Sequence, residues 1–527
     1  MKASADIPLQ VQFLPEALFI RASDSPDALA YEAQGQHLAW SELLAQVLQA
    51  ATALTAAGVE PGSTCALILP SSLDFVRAIF AAQLVGAIPV AINPKAPLSQ
   101  SRRRMDELGC TVAVMSGNLL ASAALREAFS GITMVDPAVF SSHTAAPRSA
   151  LPQLSPERLS HLQLTSGTSG SPKAVMLTHA NVMASLAASH DLLEPRASDR
   201  LVGWLPLHHD LGLLRLVFQP LYFGIGSHLI EPSVAAIRTW LETIAAVGGT
   251  LTAAPDFAYR LAVRLVPSRT LDLRSLRAAT NGGEPVRLSS VQAFEQHFGV
   301  PGVVHPGYGL AEATLGVAVV RPGDPLQVDP AGNVACGRPL KGVSIRIADD
   351  TGALLPAGAA GRILIRGPMV FQGYLHDAAA TADVFHDGWF DTGDVGRVDD
   401  AGQLFVLGRT RAMIKRGGAT IAPREIEELT DAIEGVRRSA AIGLRAGSDS
   451  LTDDVVIVAE VERSLSEAQR TLVRDAAADA TRDALGFVPR AVILISPGAL
   501  PRTATGKIRY DELRTQLETN VLQQREP

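Results

Sequence analysis

The chain has 527 residues, which at roughly 150 per domain allows two to four folding units and a large cleft between them. Lys and Arg number 46 against 53 Asp and Glu, a net charge of −7 with no basic block, so nucleic acid is excluded as an expected partner. A composition 47% hydrophobic and 19% charged excludes a disordered chain and fits a filled α/β protein.

Met1 to Pro15 has no continuous apolar core and does not read as a secretory signal. From Trp40 to Gly58 the residues Leu43, Leu44, Val47, Leu48, Ala51 and Leu54 recur at helical spacing, and Cys65 to Leu69 follows as a buried strand. Leu73 to Val85 predicts a second helix leading to a strand at Ile88 to Ile92, and Leu98 to Leu108 a third leading to Thr111 to Met115. Repeated helix and strand order is the mark of a parallel sheet. The least polar stretch, Ala78 to Pro94, is broken by Gln83, Gly86, Pro89 and Asn93 and falls short of the roughly 20 apolar residues a spanning helix needs. Cys65, Cys110 and Cys336 stand far apart with no CxxC pair, which suits buried filler in a reducing compartment, and a cytoplasmic location is expected.

The alternation resumes from Ala180 to about Val320, with strand-like runs at Leu201 to Leu205, Gly249 to Ala254 and Val303 to Val304. From Gly337 to Leu407 the pieces shorten between Gly, Pro and Asp and read as antiparallel. A helix near Pro423, the run Val455 to Val461, a helix from Leu465 to Leu485 and the run Ala491 to Ile495 make a compact last unit. The expected fold is α/β: residues 1–409 form a large N-terminal domain of two doubly wound sheets plus a small β-barrel, and residues 410–527 a small mobile α+β domain.

The strongest local signal is LTSGTSGSPKAVMLT, Leu164 to Thr178. Small side chains leave backbone N–H groups and hydroxyls free to surround an oxyanion, and Lys173 adds a positive charge. A Gly/Ser linker has a similar composition, but the terminal Pro172–Lys173 and the flanking apolar runs favour phosphate binding. The spacing departs from the P-loop pattern, because Lys173 does not follow Gly170 directly and no Ser or Thr follows it.

Five blocks in order, TSGTSGSPK, WLPLHHDLGL (Trp204 to Leu213), YGLAEATLG (Tyr308 to Gly316), WFDTGDVG with GRTRAMIKRGG (Trp389 to Gly418) and PRTATGKIR (Pro501 to Arg509), resemble the adenylate-forming superfamily. That superfamily comprises acyl- and aryl-CoA synthetases, fatty acyl-AMP ligases, peptide-synthetase adenylation domains and luciferases. The resemblance implies attack of a carboxylate on the α-phosphate of ATP. Two anions must meet, so the chemistry is electrostatic and needs cations and donors where charge develops.

By resemblance, Thr165, Ser166, Gly167, Thr168, Ser169, Gly170 and Lys173 hold the β- and γ-phosphates, and Glu312 holds Mg²⁺, a hard cation that prefers carboxylate oxygen. Ala311 stands where the family usually has Thr, with Thr314 just beyond. Tyr308, followed by Gly309, stacks on adenine, Gly283 and Glu284 line its pocket, Asp394 takes the ribose hydroxyls and Arg409 supports the nucleotide. Lys507 is implied as the adenylating residue, a long ammonium able to reach the α-phosphate and the carboxylate together and to withdraw as the small domain rotates about Arg411. Gly417 and Gly418 then approach the pantetheine arm. His209 lines the acyl carboxylate; a buried, hydrogen-bonded histidine is the plainer alternative. The condensation-type HHxxxDG motif fails at Leu213, and GSDSL at Gly447 to Leu451 matches a phosphopantetheine attachment signature in the wrong context.

LPLHHDLGLL, AAPDFAYRLAVR (Ala253 to Arg264) and LDLRSLRAATNGGEPV (Leu271 to Val286) lean toward fatty acyl-AMP ligases, which pass the acyl group to an acyl carrier protein. The connection from Val320 to Val334 lacks the added segment that sets those ligases apart from CoA ligases, and IKRGGATIAPREIEE resembles CoA ligases, so CoA stands as the rival acceptor. Ala412 replaces a residue usually acidic in the hinge motif. Apolar and small residues from Leu213 to Gly226, with Phe257 and Tyr259, are expected to wall a pocket for a medium- or long-chain fatty acid, with Trp240 supporting that wall.

Overall fold

The computed structural model describes residues 11–120, 122–165, 173–233, 235–416, 419–445, 453–502 and 508–519. Two large sheets dominate. The first has six strands in the order Thr133–Val135, Val112–Met115, Thr64–Ile68, Ile88–Ala91, Leu159–Leu164 and Ala174–Thr178, parallel except for the last. The second has nine, in the order Arg338–Pro339, Gly316–Val319, Val304–Gly309, Ala278–Asn281, Leu251–Ala254, Arg200–Gly203, Gly226–Leu229, Leu29–Ala33 and Gln36–Ala39. Its centre is parallel and both edges turn antiparallel.

Capping decides where several helices begin and stop. Ser72 accepts from the Phe75 N–H to open Leu73–Leu84, Thr178 and Asn181 close a reciprocal box on His179–Leu193, and Gly248 at φ +64° ends Ala236–Val247. The hairpin Leu29–Ala39 travels far to pair parallel with Gly226–Leu229, and Tyr31 fastens it by donating to the Val217 carbonyl at 2.5 Å. Arg21 donates to the carbonyls of Leu221 and Tyr222 beside Gly224, where a Cβ would stand 2.6 Å from the guanidinium carbon. Trp40 and Trp240, both fully buried, anchor separate cores; emptying such a site costs about 3–5 kcal/mol.

The small β unit is a five-stranded antiparallel sheet whose spine, Trp389–Val398, pairs with Gly361–Arg366, Phe385–His386 and Leu404–Arg409, while Ser344–Ala348 extends it. Beyond it lie the short pair Ile414–Arg416 and Ala419–Ile421 and a three-stranded sheet, Val436–Arg445, Asp453–Val461 and Ala491–Ile495. Helices Pro423–Asp431 and Glu467–Leu485 also belong to this last part. Cys65 and Cys110 are buried as expected, and burial pushes both thiols up to about 12. No helix among the described residues is long and apolar enough to cross a membrane.

Candidate active site

The Gly/Ser segment joins two antiparallel strands, Leu159–Leu164 and Ala174–Thr178. Leu164 pairs with Ala174, the Thr165 N–H donates to the Lys173 carbonyl at 3.0 Å, and the Lys173 N–H donates to Thr165 Oγ1 at 3.2 Å. The loop is thus closed at its base by its first and last expected phosphate-binding residues. Ser166, Gly167, Thr168, Ser169 and Gly170 lie outside the described residues, as do Lys507, Gly417, Gly418 and the GSDSL segment.

Lys173 Nζ sits 4.4 Å from the centre of the Tyr374 ring, a cation–π contact, and the Tyr374 hydroxyl donates to Glu312 Oε1 at 3.0 Å. Three segments from different parts of the fold therefore place a cation and an anion on one aromatic ring. Tyr374 carries no motif that the sequence singles out; only the folded chain brings it beside residues about 200 and 60 positions away.

Glu312 rides on a sharp reversal between Val304–Gly309 and Gly316–Val319. Gly309 is required there, because a Cβ would stand 1.8 Å from the Leu315 carbonyl oxygen. Thr314 takes φ +63°, and its buried hydroxyl donates to the Met369 carbonyl at 2.7 Å. That bond makes the Thr314 side chain a backbone clamp. The Phe371 N–H, donating to the Glu312 carbonyl at 2.8 Å, holds the other side of the turn.

Burial pushes the Glu312 carboxyl up and Asp210 adds like-charge repulsion, while the Tyr374 hydroxyl and Arg409 pull it back down. Among the described residues no three His, Cys, Asp or Glu side chains gather as a metal cluster. One carboxylate is compatible with Mg²⁺, which usually takes one or two carboxylates and completes its shell with substrate phosphates and water. Glu312 is the residue that would hold it.

Asp394 is the second anchor. Its Oδ2 accepts from the Tyr308 hydroxyl at 2.5 Å and its Oδ1 faces Arg409 Nε at 2.8 Å, across the register pair Asp394 and Arg409 of adjacent strands. Asp394 is 6% exposed and Arg409 59%, so the pair opens to solvent on the arginine side. Burial and Asp394 together push the Tyr308 phenol well above its ordinary value. A carboxylate has about four lone-pair directions, leaving Asp394 able to accept further hydroxyls.

Glu284, expected to line the adenine pocket, has its carboxylate held by protein. Its Oε1 accepts from the Phe257 N–H at 2.5 Å and its Oε2 meets Arg438 at 3.3 Å, so both oxygens are engaged by protein. Two further contacts join the same stretch to the C-terminal residues: Arg424 donates to the Val286 carbonyl at 2.6 Å, and Arg287 lies 2.7 Å from Asp431. Gly283, at φ +88°, keeps open space toward Leu211.

His209 precedes the short helix Asp210–Gly212, where its N–H donates to the Pro206 carbonyl at 3.1 Å. The His208 and His209 rings lie 4.7 Å apart, and Gln163 ties His208 to the strand entering the Gly/Ser loop. Burial, then His209 and Lys95, push the His208 imidazole down to about 3, so it is neutral at physiological pH.

The run expected to wall an apolar pocket carries a buried charge. Leu213–Phe218 is a π-helix buried throughout, and it places Arg215 at 4% exposure inside the protein. Tyr259 and Trp240 sit on the opposite face of the nine-stranded sheet, where Trp240 donates to Thr252 Oγ1 at 2.7 Å and Tyr259 to the Thr280 carbonyl at 2.9 Å. Both belong to helices packed in the core on that face, Ala236–Val247 and Asp256–Leu265, and both are fully buried. The connection after Val320 is short and folds back on itself: Val328 pairs with Val334, the Ala335 N–H donates to the Gln327 carbonyl at 2.9 Å, and Arg397 pins Asp329 at 2.8 Å.

The family described as AMP-binding enzyme matches residues 18–375. The chain is 28% identical to long-chain-fatty-acid–AMP ligase FadD26 of Mycobacterium tuberculosis, over 95% of this chain and 97% of that one. It is also 28% identical to 4-coumarate–CoA ligase 2 of Oryza sativa subsp. japonica, over 97% and 93%. Among solved structures, one described under fatty acyl-adenylate ligases from E. coli and L. pneumophila superposes with a TM-score of 0.86 at 26% identity, covering 99% of both chains.

Proposed function

Since the chain belongs to the AMP-binding enzyme family, we propose that it activates a medium- or long-chain fatty acid as acyl-AMP, releasing pyrophosphate, and passes the acyl group to the phosphopantetheine thiol of an acyl carrier protein. The observation that carries the reading is the assembly of Lys173, Tyr374 and Glu312 at the base of the Gly/Ser loop, beside a second assembly of Tyr308, Asp394 and Arg409.

In this reading Lys173 and the loop hold the outer phosphates of ATP, Tyr308 and Asp394 hold adenine and ribose, and Glu312 holds Mg²⁺. The cation would offset phosphate charge as the carboxylate approaches. Lys507 meets both reacting anions and then withdraws with residues 410–527, a small mobile domain, to admit the thiol.

CoA is the second reading for the acceptor. It is favoured by the short connection between Val320 and Val334, which leaves no added segment of the kind expected to discourage CoA. The test is acid-dependent exchange of pyrophosphate into ATP, followed by transfer to holo-carrier protein or to CoA. Lys507→Ala should abolish exchange while transfer from supplied acyl-AMP persists; exchange at the wild-type rate would sink the assignment of Lys507. Faster transfer to CoA than to carrier protein would reverse the choice of acceptor.

A further inference from the structure

Arg215 is a charge without a counter-ion. Among the described residues no carboxylate pairs with it, and its one protein hydrogen bond runs from Nη1 to Gln219 Oε1 at 3.3 Å. Its Nε and the Gln219 Nε2 are both buried without an acceptor, and Gln219 is fully buried. Burial pushes the guanidinium down to about 10, so it still carries its charge at neutral pH. An unpaired buried charge is among the most costly features a fold can keep, which points to a partner supplied from outside.

The two side chains line a small cavity on the inner face of the nine-stranded sheet, with Leu251, Thr252, Ala278 and Thr280 among its walls. The strand Ala278–Asn281 runs directly into Gly282 and Gly283. Leu211, the side chain nearest the open side of Gly283, lies four residues before Arg215 and eight before Gln219 on the same helical run, so the two side chains stand about one and two turns, roughly 6 and 12 Å, along it from the Gly283 loop. Under the proposed function the run Leu213 to Gly226 walls the acyl pocket, so a group bound beside Arg215 would lie on the acyl side of the site.

We infer that Arg215 and Gln219 receive a second carboxylate at the far end of the acyl substrate, so that the enzyme selects α,ω-dicarboxylic acids and activates one end while the other stays ionised against the guanidinium. A planar carboxylate matches the fork of arginine donors, and the Gln219 amide supplies a further donor. This substrate class rests on the proposed acyl-AMP chemistry.

The experiment compares saturated mono- and dicarboxylic acids of matched length in pyrophosphate exchange, for the wild-type enzyme, Arg215→Met and Arg215→Lys. The wild type should prefer the diacid at its best length, and Arg215→Met should lose about 30- to 100-fold of that preference through KM while gaining on the monoacid. Arg215→Lys should recover part of it. The diacid alone should raise the melting temperature of the wild type and not of Arg215→Met, whereas Arg215→Met without ligand should melt at or above the wild type because an uncompensated charge is gone. A wild type that prefers monoacids, with Arg215→Met unchanged in preference, overturns the inference and leaves acyl activation standing. Exchange with no acid of either series overturns the proposed function itself. A marked fall in the ligand-free melting temperature of Arg215→Met, with preference intact, makes the arginine a structural element and also overturns the inference.

Discussion

The Tyr374 hydroxyl donates to Glu312 while its ring carries Lys173, so one side chain spaces a carboxylate from an ammonium that would otherwise pair directly. The consequence is electrostatic: Glu312 stays available to a cation and Lys173 to phosphate. Tyr374→Phe keeps the ring and removes the donor. A hydrogen bond to a carboxylate is worth about 1.5–3 kcal/mol, or about one to two pH units. Burial already raises the Glu312 carboxyl and the phenol lowers it, so losing the phenol raises it further. Activity that needs the ionised carboxylate is lost as pH falls through that value; the acid limb of pyrophosphate exchange should therefore move to higher pH by about one unit. An unmoved limb would show that Glu312 does not titrate in catalysis.

Asp394 binds Arg409 and Tyr308 with its two oxygens. Asp394→Asn removes the charge and forces one amide N–H toward a donor. ATP affinity measured by calorimetry should weaken about 10- to 100-fold. Tyr308→Phe should cost less, about fivefold, because the Asp394–Arg409 pair survives.

Gly309→Ala is expected to be damaging well beyond ordinary helix or strand propensity, since the new methyl would overlap the Leu315 carbonyl oxygen. A loss of about 3 kcal/mol or more in urea unfolding, together with lost ATP binding, is expected. Near-normal stability would mean the reversal that carries Glu312 can relax.

Glu427 gives a pH signature to the C-terminal part. It is buried, accepts from the Tyr510 hydroxyl at 2.8 Å and the Ala441 N–H at 3.1 Å, and burial raises its carboxyl to about 7. The folded form holds its proton more tightly than the unfolded chain, which titrates near 4.3, so stability falls as pH rises from about 4 to 7. Glu427→Gln keeps an acceptor oxygen and removes the titration. At pH 8 it should be more stable by about 1–3 kcal/mol, and the fall across that window should flatten in thermal melts.

Helix and strand order in the first 120 residues is legible because apolar spacing switches cleanly between helical runs and short β-branched ones, as at Leu73–Leu84 and Ile88–Ala91. The pairing of Leu29–Ala33 with Gly226–Leu229 is invisible there, because a strand records which face is buried and not which distant strand lies alongside. In the site, Lys173, Glu312, Tyr308 and Asp394 are legible through motif blocks, whereas Tyr374 and Arg215 are not. Tyr374 acts through geometry alone. Arg215 reads in sequence as one polar interruption among LLRLVF, and only its depth and missing partner give it meaning.

The contacts that seat the C-terminal residues on the loop after Gly283 are Arg438 with Glu284, Arg287 with Asp431, and Arg424 with a carbonyl. When such a joint parts, every group is welcomed by water, and rehydration returns much of the Coulomb attraction given up. A greasy seam would resist that exchange and aggregate while apart. If the C-terminal part swings away and comes back at every turnover, as the proposed function requires, an ionic seam would act as a fastener that undoes cheaply and re-engages in one register.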